Sequence, residues 1–106
     1  MNRKITIYTL EGCSFCEKLQ KELEGLRISF TNINCTKDTN ICDKLESTTN
    51  CNLYPACIIQ SFPSKKIIVS LAKESNQLNQ IKTINSETII TYVHSIDNML
   101  TIIKNS

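Results

Sequence analysis

Two thiols stand three residues apart in Cys13-Ser14-Phe15-Cys16, directly after a mostly apolar run at residues 5–10 and directly before a stretch of helical pattern. A CxxC at a strand-to-helix junction suits thiol–disulfide exchange. The first cysteine falls at the helix start, where unpaired N–H groups and the positive end of the helix dipole favour a thiolate. The second can close a dithiol loop with little movement of the backbone. Such a pair carries two electrons as it cycles between dithiol and disulfide. Glu11 and Glu17 oppose the thiolate slightly, and no Lys, Arg or His lies within two residues of Cys13.

Four more cysteines need an account: Cys35, Cys42, Cys51 and Cys57. Cys57 lies inside an apolar strand pattern and reads as core packing, since a free buried Cys behaves as a small hydrophobe. Cys51, four residues before Pro55, either accepts the disulfide from Cys13–Cys16, regulates it, or is a bland free thiol. Cys35 and Cys42 are spaced to pair across the start of a second helix or to remain free. A metal-binding module is the competing class, because Cys13 and Cys16 have zinc-knuckle spacing. No second CxxC exists, and the single histidine, His94, reads as a surface or edge residue rather than a ligand. A redox-type fold kept only as a binding scaffold, its cysteines idle, is the third class.

The elements that must position the dithiol follow from periodicity. Residues 3–10 alternate and are β-branched, which predicts a first strand. Phe15, Leu19, Leu23 and Leu26 recur at helical spacing, predicting a helix over 14–26. Residues 28–34 alternate again as a second strand. Asp38 or Thr39 caps a short helix through Ile41, Cys42 and Leu45 that breaks up at 47–50. Residues 56–61 and 67–72 predict an antiparallel hairpin around a turn at 62–66. Residues 73–85 are polar, with a helical turn around Leu78 and Ile81 as the reading to test. Ile89, Val93, Ile96, Leu100 and Ile103 form an apolar stripe that predicts one amphipathic helix over 86–104. The sum is an α/β fold of order βαβαββα, a four-stranded mixed sheet flanked by helices. The 106 residues form a single domain on this reading.

Composition narrows the function classes. A net charge of +2 with no Lys/Arg cluster excludes a nucleic-acid footprint, and no segment approaches the ~20 apolar residues of a membrane span. The N-terminus leads into a strand rather than a secretory signal, so a cytoplasmic location is expected, where thiols stay mostly reduced. The sequence leaves the oligomeric state open.

Pro55 opens the third strand, where a missing N–H is tolerated. Local sequence favours an ordinary trans bond; a cis Tyr54–Pro55 bond would instead present the Tyr54 N–H and C=O near the cysteines. With CxxC after the first strand, proline opening the third, then a hairpin and a terminal helix, the chain resembles the thioredoxin-fold redox proteins. Its size, and the loop running from Tyr8 to Cys16 with an aromatic before the second cysteine, look most like glutaredoxins and glutaredoxin-like redoxins. The resemblance implies a thiol–disulfide oxidoreductase of cell redox homeostasis and electron transport. Cys13 would be the attacking thiolate and Cys16 the resolving thiol. Tyr54, Pro55, Ser14 and Phe15 would meet the substrate. It implies protein disulfides as partners, with a reductase or oxidase that recycles the pair.

Three departures bear on glutathione. Leu10 stands where many glutaredoxins carry lysine. Leu53-Tyr54 replaces Thr-Val before the proline. Leu71-Ala72-Lys73-Glu74-Ser75 lacks the Gly-Gly and acidic residue that hold glutathione. No cofactor is therefore required; glutathione is the candidate these departures weigh against. The expected reaction is thioredoxin-like exchange with protein disulfides, although the Trp and Gly-Pro of thioredoxin's own site are absent too.

Overall fold

Alternating β-branched residues build the strands of a mixed sheet in the computed structural model, which describes residues 3–62, 64–73 and 80–106. The chain runs β1 (Arg3–Thr9), α1 (Ser14–Gly25), β2 (Thr31–Asn34), α2 (Thr39–Thr49), β3 (Ala56–Ser61), β4 (Lys65–Leu71), β5 (Ile81–Thr83), β6 (Thr88–Val93) and α3 (Ile96–Lys104). The sheet order is β2-β1-β3-β4-β6-β5. β1 pairs parallel with β2 and antiparallel with β3, and β3 pairs antiparallel with β4. This is the thioredoxin-like arrangement, with two further strands beyond β4.

Strand alternation sorts the side chains into two layers. Ile5, Ile7, Cys57, Ile59 and Val69 pack under α1 and α3 with Leu19, Leu23, Met99 and Ile103. Tyr8, Ala56, Ile68, Ile90 and Tyr92 face the other way, toward Cys42 and Leu45 of α2. α1 ends where Arg27 turns into the left-handed region at φ 56°; its N–H returns to Glu24, and that of Ile28 to Leu23. Those two bonds satisfy carbonyls that the helix end would otherwise leave unpaired. Arg3 fixes the far end of α3, its Nη1 donating to Ile103 O at 2.6 Å and to Ser106 O at 2.7 Å.

Two expectations are corrected. Among the described residues the sheet has six strands rather than four, and residues 86–104 contain a strand followed by a helix rather than one helix. Thr88–Val93 is a β-branched and aromatic run that extends the sheet beside β4, in register Ile68↔Ile90 and Ser70↔Tyr92. Its alternate residue Val93 faces the same layer as Ile96, Leu100 and Ile103 of α3. A stripe at helical spacing therefore crosses two elements. Ser95 divides them as the N-cap of α3, its hydroxyl oxygen accepting from Asn98 N–H at 3.2 Å. Ile81 lies in edge strand β5 and not in a helical turn, while the Leu78 part of that reading lies outside the described residues.

Candidate active site

The parallel β1–β2 pair and the antiparallel β3 bring the end of β1 and the start of β3 together at one edge of the fold, by the register Tyr8↔Ala56. Leu10–Gly12 turns the chain there, with Gly12 at φ 72°, a conformation that side chains with a Cβ rarely adopt. Cys13 follows as the N-cap of α1. Its Sγ accepts the N–H of Cys16 at 3.2 Å, the position a serine or aspartate oxygen takes in ordinary caps. The sulfur therefore sits at the positive end of α1 with a donor already aimed at it.

Cys13 is half-buried, whereas Cys16 is 1% exposed beneath it. Burial, and then the hydrogen bond with Cys13, push the Cys16 thiol up to about 12, so it keeps its proton at neutral pH. Both thiols are free. Ser14 is exposed in the first turn, and the Phe15 ring is 62% exposed.

Tyr54 and Pro55 arrive from the other side. The Tyr54–Pro55 bond is cis, and the Cys13 thiol lies 3.9 Å from the Tyr54 carbonyl oxygen, toward which it donates. Cys13, Cys16 and the Tyr54–Pro55 bond thus meet in one place, with Ser14 and Phe15 between the two cysteines in the first turn of α1. Tyr54 is anchored by its hydroxyl, which donates to Glu46 Oε2 of α2 at 2.6 Å; burial and that bond push the phenol up. The added strand β6 supports the same loop. Tyr92 Oη donates to Thr49 O at 2.6 Å, fixing the end of α2 five residues before Tyr54.

Some participants were not visible in the sequence. Glu46 carries no motif, and only the fold turns it to Tyr54. A cleft of about 210 Å³ beside Phe15 is lined by Leu71, His94, Ser95 and Ile96, and the Lys18–Asp97 ion pair spans it at 3.8 Å. Its one advance signal was the helix-cap pattern at Ser95-Ile96-Asp97-Asn98. His94 is exposed, as expected of an edge residue.

The remaining cysteines separate cleanly. Cys35 and Cys42 form a disulfide, while Cys57 is fully buried in β3 and its thiol is pushed up to about 12 by burial. Cys51 is buried, its thiol donating to Leu71 O at 3.1 Å. Among the described residues, no group of three or more His, Cys, Asp or Glu side chains is placed to share a metal ion. Nor is any helix among them long and apolar enough to cross a membrane.

No curated protein matches the chain. The sequence model of one family, Glutaredoxin, matches residues 5–61, which run from β1 through the dithiol and the Tyr54–Pro55 bond to the end of β3. That stretch is more than half of the 106 residues, and with the thioredoxin-like sheet around it the chain belongs to the Glutaredoxin family, whose chemistry is thiol–disulfide exchange.

Proposed function

We propose that the protein is a dithiol oxidoreductase that exchanges protein disulfides through Cys13 and Cys16. The observation that carries this reading is the asymmetry of the pair. Cys13 is accessible and caps α1 with a donor on its sulfur, while Cys16 is buried and protonated directly behind it. Cys13 as thiolate attacks one sulfur of a substrate disulfide, forming a mixed disulfide and releasing the other substrate sulfur as a thiolate. Cys16 then loses its proton and attacks Cys13 Sγ; the Cys13–Cys16 disulfide forms and the second substrate thiol departs. Two electrons have passed to the substrate, and a recycling reductase returns them to the pair; the reverse direction needs an oxidase.

Substrate would lie along the Tyr54 backbone, beside Ser14 and the exposed Phe15 ring, with the adjoining cleft open to a neighbouring side chain. A reducing compartment such as the cytoplasm suits this role. No cofactor enters the cycle. Leu10, 39% exposed, puts an apolar side chain where a cation would attract a glutathione carboxylate, so protein disulfides are the favoured substrates.

Equilibration in graded glutathione buffers, alkylation of free thiols and mass mapping of each cysteine test the reading. A reversible Cys13–Cys16 disulfide with a defined midpoint is the expected result. Thiols protected until a chelator is added would replace it with metal or cluster binding. Thiols that alkylate freely yet never pair would leave a binding scaffold.

A further inference from the structure

The connection between β2 and α2, which carries the Cys35–Cys42 disulfide, is built onto the segment that leads into Cys13. Cys35 N–H donates to Thr9 O at 2.7 Å, and Glu11 N–H donates to Thr36 Oγ1 at 3.0 Å. Asn34 Nδ2 donates to Glu11 Oε1 at 3.1 Å, and Lys37 Nζ stands 4.0 Å from the same oxygen. Asn34 also shapes the connection itself. Its carbonyl accepts from the N–H groups of Lys37 and Asp38, and its side chain accepts from Thr36 N–H. The disulfide closes this turn by joining Cys35 to the first turn of α2.

Glu11 lies two residues before Cys13, and a carboxylate there works against a thiolate. The Cys13 sulfur meets Cys16 and the Tyr54 carbonyl; Glu46, Asp43 and Cys51 stand beside Tyr54, Glu17 lies in the first turn of α1, and Lys18, His94 and Asp97 line the cleft next to Phe15. Glu11 differs from all of these in that its side-chain hydrogen bond and ion pair both come from the disulfide-closed turn.

We propose that Cys35–Cys42 is a second redox site, exchanged by small-molecule thiols and disulfides, that sets the reactivity of Cys13 through Glu11. The inference rests on the reading of Cys13 as the reactive thiol. In the reductive direction, a glutathione-type thiolate attacks one sulfur of the pair. The Cys35–Cys42 bond breaks, and the displaced sulfur leaves as a thiolate and takes a proton. A second thiolate then attacks the mixed disulfide, freeing the remaining cysteine and the oxidised small disulfide. Two electrons enter the pair. The turn loses its closure, Asn34 and Lys37 release Glu11, and the uncompensated carboxylate disfavours the Cys13 thiolate. Cys35 and Cys42 are buried at 5% and 2% exposure, so the pair follows the ambient poise slowly rather than turning over with substrate.

The test measures alkylation of Cys13 by iodoacetamide against pH in a Cys16→Ser background, each cysteine being followed by mass spectrometry. The Cys35–Cys42 pair is compared oxidised, chemically reduced, and replaced by Cys35→Ser/Cys42→Ser. Opening the pair is expected to move the profile to higher pH and to slow alkylation at neutral pH about two- to fourfold, the size of one screened charge nearby. Glu11→Gln should abolish most of that difference. An unchanged profile on opening the pair overturns the proposal, as does a shift of equal size that persists with Glu11→Gln. The reduced native pair answers the question if the serine variant does not fold. A pair that stays oxidised in the most reducing glutathione buffer is purely structural and also overturns it. If Cys13 in every background reacts no faster than an unfolded peptide thiol, the dithiol reading fails instead.

Discussion

Two cysteine pairs follow two neighbouring parallel strands, and they differ in almost everything that governs sulfur chemistry. Cys13 and Cys16 come after β1 at a helix start, two residues between them, one half-buried and one buried, both free. Cys35 and Cys42 come after β2 with seven positions of separation, both buried and joined. In the first pair a helix N-terminus holds one sulfur out to solvent with an N–H on it, which equips it to attack. In the second, the sulfurs clamp a turn to its helix within the packed cluster that also contains Cys16 and Tyr54. The lesson is that spacing alone does not assign a cysteine pair. What the flanking elements do with each sulfur decides.

The comparison breaks most sharply at Cys13. Cys13→Ser is expected to abolish reduction of a protein disulfide such as insulin, because no other exposed thiol is placed to attack. Cys16→Ser should instead halt the cycle after the first step and accumulate a mixed disulfide on Cys13, visible as an added mass that a reductant removes. Turnover by Cys13→Ser at a rate near wild type would transfer the chemistry to another cysteine.

How much of this could be read beforehand varies with the physics involved. The dithiol was legible because CxxC, the preceding strand and the following helix are all local patterns. Pro55 was legible as a strand opener, but its cis bond was not, since local sequence favours trans and only the fold decides between them. β6 was misread because Val93 and the apolar residues of α3 face one layer, so their spacing mimicked a single helix. The β-branched run from Thr88 to Val93 was the overlooked signal. Whether Cys35 and Cys42 pair depends on how the turn at Asn34 brings α2 back, which spacing does not encode. Glu46 and Tyr92 matter only through contacts made across the fold.

High pH separates the buried Cys16 thiol from the Cys35–Cys42 disulfide, which does not titrate. Cys16 and Cys57 are each raised from an ordinary 9.0 to about 12, so the fold favours their protonated forms. Their contribution to stability is fully present below about pH 9 and is lost as pH rises toward 12. Urea midpoints measured across that range should fall steeply, with the raised tyrosines Tyr8, Tyr54 and Tyr92 adding to the decline. Cys57→Ala should flatten the profile; an identical slope in that variant would remove Cys57 from the account.

Opening the second pair tests its structural share. Closing so short a loop stabilises by about 2–3 kcal/mol in the chain-entropy picture, so Cys35→Ser/Cys42→Ser should lower the unfolding free energy by that amount. Denaturant titration of the oxidised protein against the variant measures it. A loss below about 0.5 kcal/mol would mean that the hydrogen bonds of Asn34 hold the turn without the sulfurs.

The smallest change sharpens the comparison further, because α2 touches both pairs. Its first turn carries Cys42, and Glu46, one turn further on, accepts the hydroxyl of Tyr54, whose carbonyl faces Cys13. Tyr54→Phe keeps the ring and the backbone but leaves the half-buried Glu46 carboxylate without this donor, at an expected cost of about 1 kcal/mol. Glu46→Gln keeps an acceptor and should cost less. In a double-mutant cycle Tyr54→Phe and Glu46→Ala should be strongly non-additive, since each removes the same bond. Additive losses would mean that Tyr54 is held by ring packing alone, and α2 would then anchor only the disulfide side of the site.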